Sequence, residues 1–342
     1  MTASLQDWLR RRVPGADQVR VTDIAAPGGA GVANETLLVA TDTERGFVVR
    51  IGAHDHLYLD ANVEIACRIY AALADEPDVP SPSVFGFDPD PALFGAPFFV
   101  MERIDGLVPA DNPSFYQAQW FAQLGEQERR TFWRRSIETM AALHRVDRHK
   151  FAFLDRPALG SNGIEQDLGY WRRYAQWCGA NRLPVIQRAE YWLVGNLPGD
   201  APPGFSWGDA RPQNMIYRAN VSVAVLDWDT ASLAGAEADL AWWGYMAQGH
   251  TSLPGWGTGH EMLAIWRDAV GRAPEYLDWH LVKTAYALRA IMVRLSAMLL
   301  ATGAIDDETA KRLDSGEMEW LAGLLDRPLQ DRHTSAWPGW NR

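Results

Sequence analysis

Cysteine is nearly missing from this chain: there are two in 342 residues, Cys67 and Cys178. Neither belongs to a C-x-x-C pair, which excludes a disulfide scaffold and a cysteine-built zinc site and suits reduced thiols in the cytoplasm. An excess of positive charge is missing as well. Lys and Arg number 32 against 43 Asp and Glu, a formal charge of −11. That balance argues against a nucleic-acid binder or an anionic-membrane binder, and it is compatible with a cationic substrate without demanding one. The first residues, MTASLQDWLRRRVPGAD, lack the apolar core of a signal peptide and read as a short amphipathic helix with Leu5, Trp8 and Leu9 on one side. The most apolar late run, Ala285 to Ala301, is interrupted by Arg289 and Arg294, so a helix with a buried face is expected there rather than a membrane span. No repeat and no low-complexity tract occurs. What the chain has in quantity is apolar residues, 47% of the total, which allows a sizeable core in one large or two medium domains.

The first hundred residues read as strands with one helix. VRVTDIAAP and NETLLVAT flank the glycine cluster GGAG, a turn at DTERG leads to GFVVRI, and PSPSVFGFDPDPALFGAPFFVMERIDG supplies two more strands. Between them YLDANVEIACRIYAALAD carries Leu59, Val63, Ala66, Ile69 and Leu73 at helical spacing. Strand signals stop at Gly106, and helical periodicity dominates from about Pro113 onward. A small β-rich part followed by a larger α-rich part is an α+β, two-lobe plan, with the boundary placed between 1–105 and 106–342. One β island interrupts the helical part: NMIYR and VSVAVLDWD, able to pair as a hairpin across AN.

Just before that island, PPGFSWGDARPQN contains two overlapping signatures. Gly204-Phe-Ser206-Trp-Gly208 fits the elbow of a serine hydrolase, with Asp227 or Asp239 and His250 in a usable chain order. An elbow needs a buried strand before the serine and a helix after it. The preceding GNLPGDAPPG is too rich in Pro and Gly for a central strand, and Pro212 opposes a helix interior. Asp209-Ala-Arg-Pro-Gln-Asn214 fits the D-x-x-x-x-N loop of a kinase. Phosphoryl transfer asks for positioning and charge neutralisation: a carboxylate to orient the attacking hydroxyl, and oxygen ligands for Mg²⁺. Asp209 is placed for the first task. Asn214, five positions on, and Asp227, thirteen beyond that at the end of the apolar run VAVL, are placed for the second.

WGDARPQNMIY followed by AVLDWDTASLAGAEADLAW resembles the aminoglycoside phosphotransferase family of kinase-like enzymes, which commonly reads H-G-D-x-x-x-x-N, an apolar run, I-D-[WF] and D-L-A. FFVMERIDG and MAALHRVD are similar to the branch related to kinase-like domains associated with acyl-CoA dehydrogenases. The resemblance covers roughly residues 20 to 245. It implies a bilobal protein-kinase-like fold, with a small antiparallel-sheet N-lobe and a larger, mainly helical C-lobe. It also implies ATP·Mg²⁺ and a hydroxyl on a small molecule as acceptor. Residue by residue, it makes Asp209 the catalytic base and Asn214 and Asp227 the metal ligands. Met101 and Glu102 fall where backbone groups meet the adenine edge, and Gly28, Gly29 and Gly31 in the loop over the phosphates. Arg50 stands where the family usually has a phosphate-contacting lysine, with Glu64 as its ion-pair partner. The family's acceptors range over aminoglycosides, choline-like alcohols, sugars, amino-acid alcohols and hydroxyacyl compounds. A protein acceptor is disfavoured by the short gap between Asp227 and Asp239.

Two positions depart from the family pattern. Trp207 stands where a histidine is usual, and Arg50 replaces lysine; both keep open a nucleotide-binding module without turnover. Each residue also has a plainer reading: Asp209 and Asn214 as turn formers, Asp227 as a strand-end salt bridge, Asp229 and Asp239 as loop ties, Arg50 and Glu64 as solvated surface charges. The sixteen tryptophans, many beyond residue 170, read first as core and second as an aromatic substrate wall.

Overall fold

The computed structural model of the chain describes residues 2–27, 35–52, 56–111, 114–247, 253–327, 332, 333 and 335, with backbone alone for 314–318. Gly28, Gly29, Gly31 and His250 lie outside the described residues. The chain forms two compact units, Met1–Gly125 with Pro212–Asp229, and Glu126–Arg211 with Thr230–Arg342.

In the first unit α1 (Thr2–Arg12) precedes β1 (Val21–Ala25), β2 (Glu35–Thr41) and β3 (Phe47–Ile51); α2 (Val63–Leu73), β4 (Val84–Asp88), β5 (Phe98–Glu102) and the short α3 (Gln119–Gln123) follow. The sheet order is β1-β2-β3-β5-β4, antiparallel throughout. The branched and aromatic runs FVVRI and FFVME take the central places, buried almost from end to end, whereas β1 and β4 carry the more exposed edges. Neighbours in a strand point to opposite faces. Phe98 meets Trp8 of α1 at 5.6 Å and Phe99 meets Tyr70 of α2 at 6.0 Å, so the two helices cover opposite faces of the sheet. Trp8 also donates its indole N–H to Asp88 at 2.7 Å, which keeps that polar atom satisfied as its ring is buried. The α2 helix starts at Val63, later than Leu59, because the Asn62 side chain accepts the Glu64 N–H and caps it there.

The expected hairpin is present as β6 (Met215–Arg218) and β7 (Val221–Val225). Its two turn residues, Ala219 and Asn220, have φ of 46° and 63°, the left-handed pair that tight hairpins require. The hairpin belongs to the first unit. Leu107 and Tyr217 exchange backbone hydrogen bonds of 2.9 and 2.8 Å, and the Val225 N–H donates to Pro80 O at 2.9 Å.

The second unit is helical: α4 (Glu126–Leu143), α5 (Gly163–Trp177), α6 (Pro184–Gly195), α7 (Ala236–Met246), α8 (Gly259–Val270), α9 (Leu277–Ala301) and α10 (Asp307–Leu325). The 25-residue α9 is long and apolar enough to cross a bilayer by length and composition. It packs instead against α5, α6, α7 and α10, with Lys283 and Arg289 buried. Trp133, Trp171, Trp207, Trp242, Trp243, Trp256, Trp266 and Trp279 are all buried here, which is the core reading of the tryptophans.

Candidate active site

The segment around Asp209 is held by Asp239, near the start of α7. Asp239 Oδ1 accepts from Ser206 Oγ at 2.9 Å and from the Gly208 N–H at 2.8 Å. Its Oδ2 accepts from the Trp207 N–H at 2.7 Å and pairs with His144 Nε2 at 2.8 Å. The tautomer of His144 follows from its other neighbour. Trp266 Nε1–H donates to His144 Nδ1 at 2.9 Å, and an indole can only donate, so the ring proton sits on Nε2 and points at Asp239. A buried carboxylate with four donors is fully satisfied and fixes three successive residues of the loop. Phe205 adds a stacked contact with Phe151, ring centroids 3.8 Å apart.

This geometry removes the hydrolase alternative. An elbow serine is presented at a strand-to-helix turn. Ser206 is 1% exposed, its hydroxyl is used on Asp239, and its backbone pairs with Ser232. Trp207, where a histidine was usual, buries its indole completely and contributes its backbone N–H to the same brace. Gly208 has φ of 95°, and a Cβ there would lie 2.3 Å from the Thr230 carbonyl oxygen. Beyond it, Asp209 is 6% exposed, with Trp242 Nε1–H donating to Oδ1 at 2.6 Å and Arg211 Nε 2.9 Å from both oxygens.

The other expected residues lie in the first unit. Asn214 ends the 3₁₀ turn Pro212–Asn214 immediately before β6, and Asp227 follows two residues after β7. Met215 pairs with Val225, and the Leu226 N–H donates to Asn214 O at 2.8 Å, so both stand at the open end of the hairpin. Asp227 has φ of 63°, a left-handed turn that redirects the chain where the strand ends. Its Oδ1 receives the Asp229 N–H at 3.4 Å. Arg50, on β3, donates to Thr36 Oγ1 at 2.9 Å and stands 3.9 Å from Asp229, whose side chain is 3% exposed. Among the described residues the Arg50–Glu64 ion pair is not formed; Asp229 stands beside the guanidinium, and Glu64 sits in the first turn of α2, where the helix N-terminus favours its charge. Near Glu64, burial and that carboxylate push the Cys67 thiol up to about 11.

Met101 is buried within central β5. The Glu102 N–H donates to Ser83 O at 2.8 Å and the Arg103 N–H to Gly46 O at 3.1 Å. Backbone donors at this strand end are therefore taken by the sheet as far as residue 103. Sequence reasoning missed Trp242, the histidine brace and the Arg50–Asp229 pairing. A signal for the first existed: Asp239 and Trp242 are three apart on α7 and share a face of it.

The family model of the phosphotransferase enzyme family, APH, matches residues 25–283. The chain belongs to this family. Acyl-CoA dehydrogenase family member 11 of Gallus gallus is 26% identical over 244 residues, covering 70% of this chain and 30% of that protein. The chain thus spans less than a third of the length of that relative. A Ralstonia eutropha JMP134 protein provisionally assigned as an aminoglycoside phosphotransferase has the same fold, with a TM-score of 0.72 at 18% identity over 95% of this chain and 97% of that one. The hygromycin B-bound phosphotransferase APH(4)-Ia, solved with AMP-PNP, gives a TM-score of 0.53 at 14% identity over 94% and 98%. Membership of the phosphotransferase family and the kinase-like fold agree with the motif-based expectation, including its acyl-CoA dehydrogenase branch.

Proposed function

We propose that this phosphotransferase is a cytoplasmic small-molecule kinase that moves the γ-phosphoryl group of ATP to an alcohol. The observation that carries the reading is Asp209: a buried carboxylate with donors on both oxygens, on a loop fixed through Asp239, five residues before Asn214. In this reading Asp209 accepts the proton of the acceptor hydroxyl. Residues 1–105 form the nucleotide lobe, and residues 106–342 carry the catalytic loop and the acceptor site. Arg50 neutralises phosphate charge. The first unit contains no lysine at all, so an arginine must serve wherever a fixed strand cation is needed, and its fork suits phosphate oxygens. Glu64 assists Arg50 when phosphate is bound, and Gly28, Gly29 and Gly31 cover the phosphates. The adenine edge meets the Glu102 carbonyl and the N–H of residue 104, since the N–H groups of 102 and 103 are already used; Met101 supplies the apolar surface beside it.

Asn214 and Asp227 offer the neutral and anionic oxygens that a hard divalent cation prefers, and both flank the open end of the hairpin. They would hold Mg²⁺, which when bound screens the triphosphate charge. The acceptor oxygen gains a bond to the γ-phosphorus, the bond from that phosphorus to ADP breaks, and the hydroxyl proton passes to Asp209.

The test pairs calorimetry of ATP with Mg²⁺ against ADP release, with water and with a library of hydroxyl compounds as acceptors. Asp209→Asn is expected to lower turnover by roughly 10²- to 10⁴-fold while leaving ATP affinity within about twofold. Binding with neither transfer nor hydrolysis would make the chain a nucleotide-binding module. Absence of ATP binding would overturn the reading altogether.

A further inference from the structure

We infer that Trp242 is the positioning residue of the catalytic base, an inference that rests on the phosphotransferase reading of Asp209. Trp242 is 4% exposed and sits on α7, three residues after Asp239. One helix face therefore carries both the carboxylate that fixes the loop backbone and the indole that fixes the base's side chain. The indole N–H reaches Asp209 Oδ1 at 2.6 Å. An indole donates and never accepts, so it holds the carboxylate without competing for the proton the acceptor releases. Being neutral, it also leaves the charge of the site unchanged. Arg211 Nε stands 2.9 Å from both carboxylate oxygens, so the guanidinium and the indole together set the carboxylate plane. The arginine reaches the base on a long chain that retains 17% side-chain exposure, whereas Trp242 is packed into the helical core. The indole is the more deeply buried of the two donors.

If Trp242 only fills space, phenylalanine should serve as well. Trp242→Phe keeps an aromatic ring and removes the N–H. With ATP as donor and water as acceptor, kcat for ADP release is expected to fall about 10- to 100-fold, with KM for ATP within about twofold. Trp242→His, which restores a ring N–H, is expected to regain part of the lost kcat and decides the matter if the Phe variant folds poorly. Independently of turnover, ¹⁵N-labelled protein should show one indole N–H resonance that disappears in Trp242→Phe and shifts in Asp209→Asn. An unchanged kcat in the Phe variant, no recovery in the His variant, or an indole resonance indifferent to Asp209→Asn would overturn the inference. A wild-type protein without ATP binding would defeat the phosphotransferase reading instead, while the resonance still reports the Trp242–Asp209 pairing.

Discussion

Gly208 shows how much a single hydrogen atom can decide. Its φ of 95° suits glycine alone, and any Cβ would press to 2.3 Å of the Thr230 carbonyl oxygen. Gly208→Ala is expected to destabilise the protein by about 1–3 kcal/mol and to displace Asp209, the next residue. Thermal unfolding and ADP release check this together: a lowered Tm with turnover lost more steeply than ATP affinity. Residues of this sort were legible in the sequence because they lie within one short stretch. The spacing from Gly208 through Asp209 to Asn214 and Asp227 is local information. Trp242 and His144 were not legible as neighbours of the loop, since nothing in linear spacing says that the end of α4 and the face of α7 meet it. Arg50 was singled out by its strand, with Glu64 as the expected partner. Glu64 is nearer in the chain, whereas Asp229, some 180 residues on, is the carboxylate that stands beside the guanidinium.

At the scale of elements, α5 and α9 are joined by an ion pair taken out of water. Lys283 Nζ lies 2.9 Å from Asp167 Oδ2, with side-chain exposures of 6% and 5%. Such a pair stabilises little relative to an apolar replacement, but breaking it leaves one buried charge. Lys283→Met is expected to cost about 3–5 kcal/mol, and adding Asp167→Leu to recover most of it; urea unfolding of the single and double variants measures both. Most elements could be read from period and caps, since α1, α4, α8 and the hairpin all have clean patterns. The α6 helix is less plain in the sequence, because Pro and Gly crowd its surroundings. Pro184 is in fact its first residue, where a missing N–H costs nothing, and Ile186, Ala189 and Leu193 mark its buried side.

At the scale of the molecule, acid sensitivity is written into the helical unit. Burial, then Lys283 and Arg272, hold the His280 imidazole well below 6.5. Below pH 6.5 the unfolded chain binds a proton there that the folded chain refuses, so stability falls as pH falls through that range and is level above it. His280→Leu is expected to flatten the slope between pH 5 and 6.5 in denaturant titrations. The broad α+β division was visible in composition, because strand signals give way to helical period near Gly106. The return of 212–229 to the first unit was not, since a hairpin's sequence records its own pairing and not the Pro80 and Leu107 backbone it completes. That return has a temporal side. During synthesis the ribosome releases residues 1–125 first, yet their unit is whole only after residue 229 has emerged. Until then the Pro80 carbonyl and the Leu107 amide wait for partners that the growing chain has yet to supply.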